Sequence, residues 1–126
     1  MAGLPFEKLR VYHLSEELAD GVWNIVQGWK ILARDTVGKQ IIRSADSIGA
    51  NIAAGAGRGS YQENRRFIRI ARGSIFETRH WLRRAFRRQL LTDTQIHELK
   101  GCIDNLGPQL NAYLKSIGRN GPKTND

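Results

Sequence analysis

The chain has no apolar run approaching the roughly 18 residues that a membrane-spanning helix requires, so it is not expected to partner a membrane by spanning it. Its opening, MAGLPFEKLRVYHL, has no positively charged head followed by a long apolar segment. Neither a secretory signal nor an anchor is therefore expected, and a cytoplasmic protein is the simple reading. Cysteine is nearly absent. Cys102 has no companion for an internal disulfide and sits among Leu99, Ile103 and Leu106, where a small buried thiol fits. His13, His80 and His97 are scattered, with no HExxH pair and no cysteine cluster, so neither a metal site nor a cofactor is expected. Glu63 and Glu77 lack the close acidic companion that paired general acid and base chemistry needs. Ser47 and Asn51 share a helical face at i and i+4, where a hydrogen-bonded helix contact is commoner than nucleophilic catalysis. No catalytic residue emerges, and the chain reads as a non-enzyme.

Acidic residues are also scarce where basic ones gather. The 126-residue chain carries a formal charge of +8, and residues 58 to 88 hold ten arginines against only Glu63 and Glu77. The whole excess lies in that quarter of the chain. A field this localised favours an anionic partner such as nucleic acid, an acidic protein or a membrane surface, or else it is a solvated face that keeps the protein soluble.

Four amphipathic segments can be read from the apolar spacing. In residues 6 to 28, Leu9, Leu14, Leu18, Val22, Ile25 and Val26 recur at three- and four-residue steps, with Phe6 and Trp23 able to join them and Pro5 at the start. The stretch from Trp29 to Arg34 reads as a connection, and Asp35 or Thr36 as the start of a second helix. There Val37, Ile41, Ala45, Ile48 and Ile52 form one side, while Ile42, Gly49 and Ala53 form another. Ser60 and Glu63 make a capping-box pattern for a third helix over about 60 to 90. Its expected inward stripe is Phe67, Ala71, Ser74 or Ile75, Thr78, Leu82, Ala85, Phe86 and Gln89. Thr92 with Gln95 opens a fourth helix, whose stripe runs from Ile96 through Leu99, Ile103, Leu106, Leu110, Tyr113 and Leu114 to Ile117 and contains the helix-disturbing Pro108. The expectation is an all-α, antiparallel up-down four-helix bundle over residues 1–118 with a loose tail at 119–126.

NIAAGAGRGS, residues 51 to 60, looks at first like a phosphate-binding loop. A Rossmann loop needs a preceding strand, and a P-loop needs a GK pair before Ser or Thr. Here the preceding segment is helical and no GK follows, so GAGRGS reads as helix exit, turn and N-cap. Arg58 beside a helix start can still meet an external phosphate.

The run DTVGKQIIRSADSIGANIAAGAGRGSYQENRRFIRIARGSIFETRHWL resembles the central signature of the four-helix bundle proteins named after 23S ribosomal RNA intervening sequences. The matching positions are Arg43, Ala45, Ser47, Ile48, Asn51, Ile52, Ala53, Gly55, Gly57 and Arg58, then Phe67, Ala71, Gly73, Ser74 and Glu77. The opening FEKLRVYHLSEELA is similar to that family's first helix. The resemblance implies a ring-like homo-oligomer, a homopentamer. More distantly it implies likeness to the basic accessory subunit of diversity-generating retroelements, which partners a reverse transcriptase and binds nucleic acid. It transfers no catalytic residue. The family's usual glutamate after N-I-A is Ala54 here, which removes a carboxylate that could have paired with Arg58.

The candidate nucleic-acid-binding residues are Arg58, Arg65, Arg69, Arg72, Arg79, Arg83 and Arg87. Arginines in this pattern can engage phosphates without reading bases. The same side chains can instead close subunit contacts or receive an acidic protein. Trp23, Trp29 and Trp81 can stack on a base, though packing is the commoner use of tryptophan. The candidate partners are copies of the chain itself, RNA or single-stranded DNA, and a reverse transcriptase or other protein.

Overall fold

The structure, a computed structural model, describes residues 5–119. The expected tail therefore lies outside the described residues from position 120 onward. A single 3-10 turn, Phe6–Lys8, precedes α1, Arg10–Val26. Leu9 is extended at the junction, so the first segment is a turn followed by a helix and not one helix from residue 6. The run called α2 opens as the turn Ile31–Ala33, widens into a π-helical stretch at Arg34–Gly38 and continues as the α-helical body Lys39–Ala56. Helix α3 spans Tyr61–Arg87 and α4 spans Asp93–Ser116.

The second helix starts several residues earlier than its apparent caps suggest. Lys30, at the cap position, makes no side-chain capping bond. Thr36, which looked like a cap, lies inside the helix, and its hydroxyl donates to the Leu32 carbonyl at 2.6 Å. In the π-helical turn Gly38 lies hard against α1: a Cβ there would stand 2.7 Å from Val26 Cγ1. The α3 start is as expected in part. The Glu63 amide donates to Ser60 Oγ at 3.1 Å, whereas the Glu63 carboxylate pairs with Arg66. The capping box of α4 is complete, with Thr92 and Gln95 exchanging both bonds. Pro108 is accommodated inside α4.

Neighbouring helices run antiparallel all the way round. Ser15 meets Gly49 between α1 and α2, Ser47 meets Ser74 between α2 and α3, Arg79 meets Asp104 between α3 and α4, and Arg10 meets Gln109 where α4 closes onto α1. The core is continuous through all four: Leu14, Leu18 and Val22, then Ile41, Ile48 and Ile52, then Ile68, Ile75 and Leu82, then Leu99, Ile103 and Leu106. The α2 stripe is buried as expected. On α3 the stripe is rotated slightly from expectation: Ile68 is fully buried, Phe67 is half-buried, and Phe86 and Gln89 are exposed.

The α2–α3 seam is held by hydroxyls and by the absence of side chains. The hydroxyls of Ser47 and Ser74 lie 2.5 Å apart and Thr78 donates to Ser44 Oγ at 2.9 Å, both across the seam, while Asn51 donates to the Ser47 carbonyl at 2.8 Å within α2. These bonds satisfy polar groups that the close approach removes from water. Gly55 lies inside the helix rather than ending it. A Cβ there would fall 2.6 Å from Asn64 Oδ1, 3.0 Å from Phe67 Cβ and 3.1 Å from the Asn64 carbonyl oxygen. At Gly73, on the exposed side of α3, a Cβ would meet nothing within 4 Å.

Glycine to alanine inside a helix normally gains about 1 kcal/mol. Gly73→Ala is thus expected to stabilise the fold by about 0.5 to 1 kcal/mol. Gly55→Ala is expected to destabilise it by about 1 to 2 kcal/mol through overpacking. Urea denaturation of the two variants should give shifts of opposite sign. A gain at Gly55 would mean that α2 and α3 can separate there without cost.

Candidate nucleic-acid interface

Successive α-helical residues turn by about 100°, so Arg65, Arg69, Arg72, Arg79, Arg83 and Arg87 fall within an arc of about 80° on α3. The arc lies beside the core stripe on the side toward α4. This explains why the structure divides the row in two. Arg65, Arg72 and Arg79 reach across to α4: Arg65 donates to the Ile117 carbonyl at 3.0 Å, Arg72 to Asn111 Oδ1 at 3.4 Å, and Arg79 to Asp104 Oδ1 at 2.8 Å. Arg69, Arg83 and Arg87 point outward and make no ion pair or hydrogen bond among the described residues.

Arg58 does not join the row. It sits in the loop after α2, with its guanidinium 4.5 Å from the centre of the Phe67 ring, and Arg66 lies against the same ring at 4.7 Å. Phe67 is displaced from the arginine arc by nearly half a turn of α3, so these two cations form a separate basic spot near the α2–α3 loop.

The ties to α4 do not neutralise the row. Asp104 accepts from Arg79 and, at 3.1 Å, from Lys100, so one carboxylate serves two cations. The hydrogen bond from Arg79, followed by that from Lys100, holds the Asp104 carboxyl below its ordinary range. Beside these residues a groove of about 520 Å³ opens between α3 and α4, lined by Arg79, Leu82, Arg83, Phe86, Ile96 and Lys100. Its floor is apolar, and its rim carries three cations, Arg79, Arg83 and Lys100, together with one carboxylate, Asp93.

Glu77 is paired across to α2. It accepts from Arg43 on α2 and from the Trp81 indole at 3.1 Å, which also commits Trp81 to packing along the bundle. The Arg43 hydrogen bond, then the Trp81 bond, lowers the Glu77 carboxyl from its ordinary 4.5. A depressed pKa in the folded state gives stability that is present above the unfolded value and lost as pH falls through the folded one. The melting temperature of the protein minus that of Glu77→Gln is therefore expected to stay constant above about pH 5 and to shrink in more acidic solution. A difference independent of pH would mean that the carboxylate pairing contributes nothing.

Of the other tryptophans, Trp29 is half-buried and packs against the core, and Trp23 is 53% exposed on α1, away from the arginines. Cys102 is partly buried, and burial, followed by Glu17 and Glu98, pushes its thiol pKa up, away from the reactive thiolate. Among the described residues no three His, Cys, Asp or Glu side chains are grouped to hold a metal ion. No helix among them is long and apolar enough to cross a membrane.

Three features of the surface lie outside the apolar spacing of any single helix. Phe76, 65% exposed, lies inside the arginine arc, seven residues from both Arg69 and Arg83, a separation that itself puts it on their face. The groove and its Lys100 belong to two helices at once, so no single-helix pattern carries them. A second groove, of about 370 Å³, runs between α1 and α2 on the opposite face and is lined by Glu16, Asp20, Asp46 and small residues including Gly49 and Ala50. Burial, and then the neighbouring Asp20, raises the Asp46 carboxyl.

Comparison with known proteins bears on the same residues. The model of the 23S rRNA-intervening sequence protein family matches residues 7–112, a span that includes the whole arginine row. Among solved structures, the chain is similar to a protein of unknown function from the S23 ribosomal protein family of Bacteroides thetaiotaomicron. The two are 25% identical with a TM-score of 0.75, and the match covers 84% of this chain and 99% of the other. No curated protein matches the chain.

Proposed function

Starting from the fact that the chain belongs to the 23S rRNA-intervening sequence protein family, we propose that it is a non-catalytic nucleic-acid-binding accessory protein that works as an oligomer. The observation that carries this reading is the line of outward, unpaired guanidinium groups at Arg69, Arg83 and Arg87 along one helix. Arg65, Arg72 and Arg79 add charge beside them, and Arg58 adds a separate phosphate contact near the α2–α3 loop. Arginines on a rigid helix meet a phosphate backbone by charge and forked hydrogen bonding, with little dependence on base identity. In a ring of five copies the face would repeat, so that contacts weak in one protomer gain from avidity. A reverse transcriptase or another nucleic-acid enzyme in the cytoplasm is the kind of partner such a protein would serve.

The acidic groove between α1 and α2 favours a second reading, a protein-interaction module. The arginines of one copy would then face the carboxylates of another, or an acidic partner. Fluorescence anisotropy with labelled RNA and single-stranded DNA across a salt series, with light scattering for mass, separates the two. Binding that weakens steeply with salt supports the polynucleotide reading. A stable multimer that binds neither polymer at low salt assigns the arginines to protein contacts.

A further inference from the structure

Phe76 is exposed in the middle of a cationic surface. Its neighbours one turn away are Arg72 and Gly73 on one side and Arg79 and His80 on the other, and two turns away are Arg69 and Arg83. At 1.5 Å per residue, Arg69 and Arg83 lie about 10 Å to either side along the axis. Gly73 leaves open space beside the ring. Isolated apolar side chains are ordinary on protein surfaces. Phe76 is instead placed where it would contact whatever the arginines hold.

The combination selects among polyanions. A duplex presents phosphates outward and keeps the faces of its bases inside the stack, so it would gain nothing from an aromatic ring between guanidinium groups. An unpaired strand offers phosphates and free base faces together, which is what alternating cations and an aromatic platform can hold. About 15 Å further along α3, Phe86 borders the apolar-floored groove whose rim carries Arg79, Arg83 and Lys100 against the single carboxylate of Asp93. We infer that Phe76 is a stacking platform for an unpaired base, and that the strand continues along Arg79 and Arg83 toward the Phe86 groove, making single-stranded nucleic acid the ligand of this face. This inference rests on the nucleic-acid reading above and names the form of the polymer.

The test uses the full chain with three fluorescein-labelled probes: oligo(dT) and oligo(U) of about 20 nucleotides, longer than a typical single-strand site, and a DNA duplex of the same length. The variants are Phe76→Ala and Phe76→Trp, with Arg83→Gln for comparison and light scattering on each. At matched salt the wild-type protein is expected to bind the single strands more tightly than the duplex. Phe76→Ala should weaken single-strand binding by about tenfold, consistent with the loss of one stacked base. Its salt slope and its melting temperature should be unchanged, and duplex binding should change by less than about twofold. Phe76→Trp should restore single-strand binding. If Phe76→Ala binds like wild type while Arg83→Gln is weakened, the stacking platform is refuted and the electrostatic reading stands. If the wild-type protein binds no probe at low salt, both fall. If Phe76→Ala lowers the mass of the assembly, the ring is a subunit contact and the base assignment is overturned.

Discussion

Ile68→Ala is expected to lower the unfolding free energy by about 2 to 5 kcal/mol, the range for truncating a fully buried branched side chain. Ile68 has 0% exposure and packs in the cluster that joins α3 to the other three helices. Removing three carbons there loses apolar burial and leaves a cavity whose walls, helices held by the α2–α3 hydroxyl bonds, can close only partly. Phe86→Ala removes a larger side chain, but one that is 48% exposed, and it should cost less than Ile68→Ala. Urea denaturation followed by circular dichroism, with the slope on denaturant unchanged, reads both values. Equal losses for the two variants would mean that the Phe86 groove is covered in solution, as it would be by a partner subunit.

Replacing Arg69, Arg83 and Arg87 together with glutamine is expected to cripple polynucleotide binding and leave the fold intact. The salt dependence carries the distinguishing number. Each phosphate contact on a single strand contributes about 0.7 to the slope of log affinity against log salt, so three lost contacts should flatten it by about 2. None of the three side chains has an ion pair or hydrogen bond among the described residues to lose, so melting should hold or rise as repulsion along α3 is relieved. Arg79→Gln is a useful contrast because it breaks the pair with Asp104 and removes charge at once. A triple variant that melts well below wild type would place those arginines in subunit contacts and count against the open interface.

Much of the bundle could be read from spacing because its helices obey a simple rule: the α2 stripe from Val37 to Ile52 and the Ser60 and Thr92 caps all lie where the pattern puts them. The start of α2 could not be read because it has no side-chain cap, while the tempting Thr36 uses its hydroxyl on Leu32 within the helix. Phe86 was expected inside because it shares the angular position of core residues such as Ile68. It lies near the end of α3, however, where α4 is only beginning and nothing covers it. The arginine row was legible as a face. Which of its members are tied to α4 was not, because Asn111, Asp104 and Ile117 come from 25 to 52 residues away and only the fold brings them near. Phe76 was hidden by its neighbour Ile75, which satisfied the core pattern and left the next residue without an assigned role.

The acidic α1–α2 groove and the basic α3 row, on opposite faces of a molecule whose net charge is +8, make the protein an electric dipole as well as a cation. Near a polyanion such a body feels torque as well as attraction. It turns its α3 face forward during approach, before any side chain touches, and so a larger share of collisions arrive already aligned. This orienting effect acts over about a Debye length, roughly 8 Å at physiological salt, and fades as salt is added. Replacing Asp20 and Asp46, which touch no part of the basic face, with asparagine separates the two effects: the net charge rises from +8 to +10 and speeds encounter, while the lost torque lowers the share of collisions that arrive aligned.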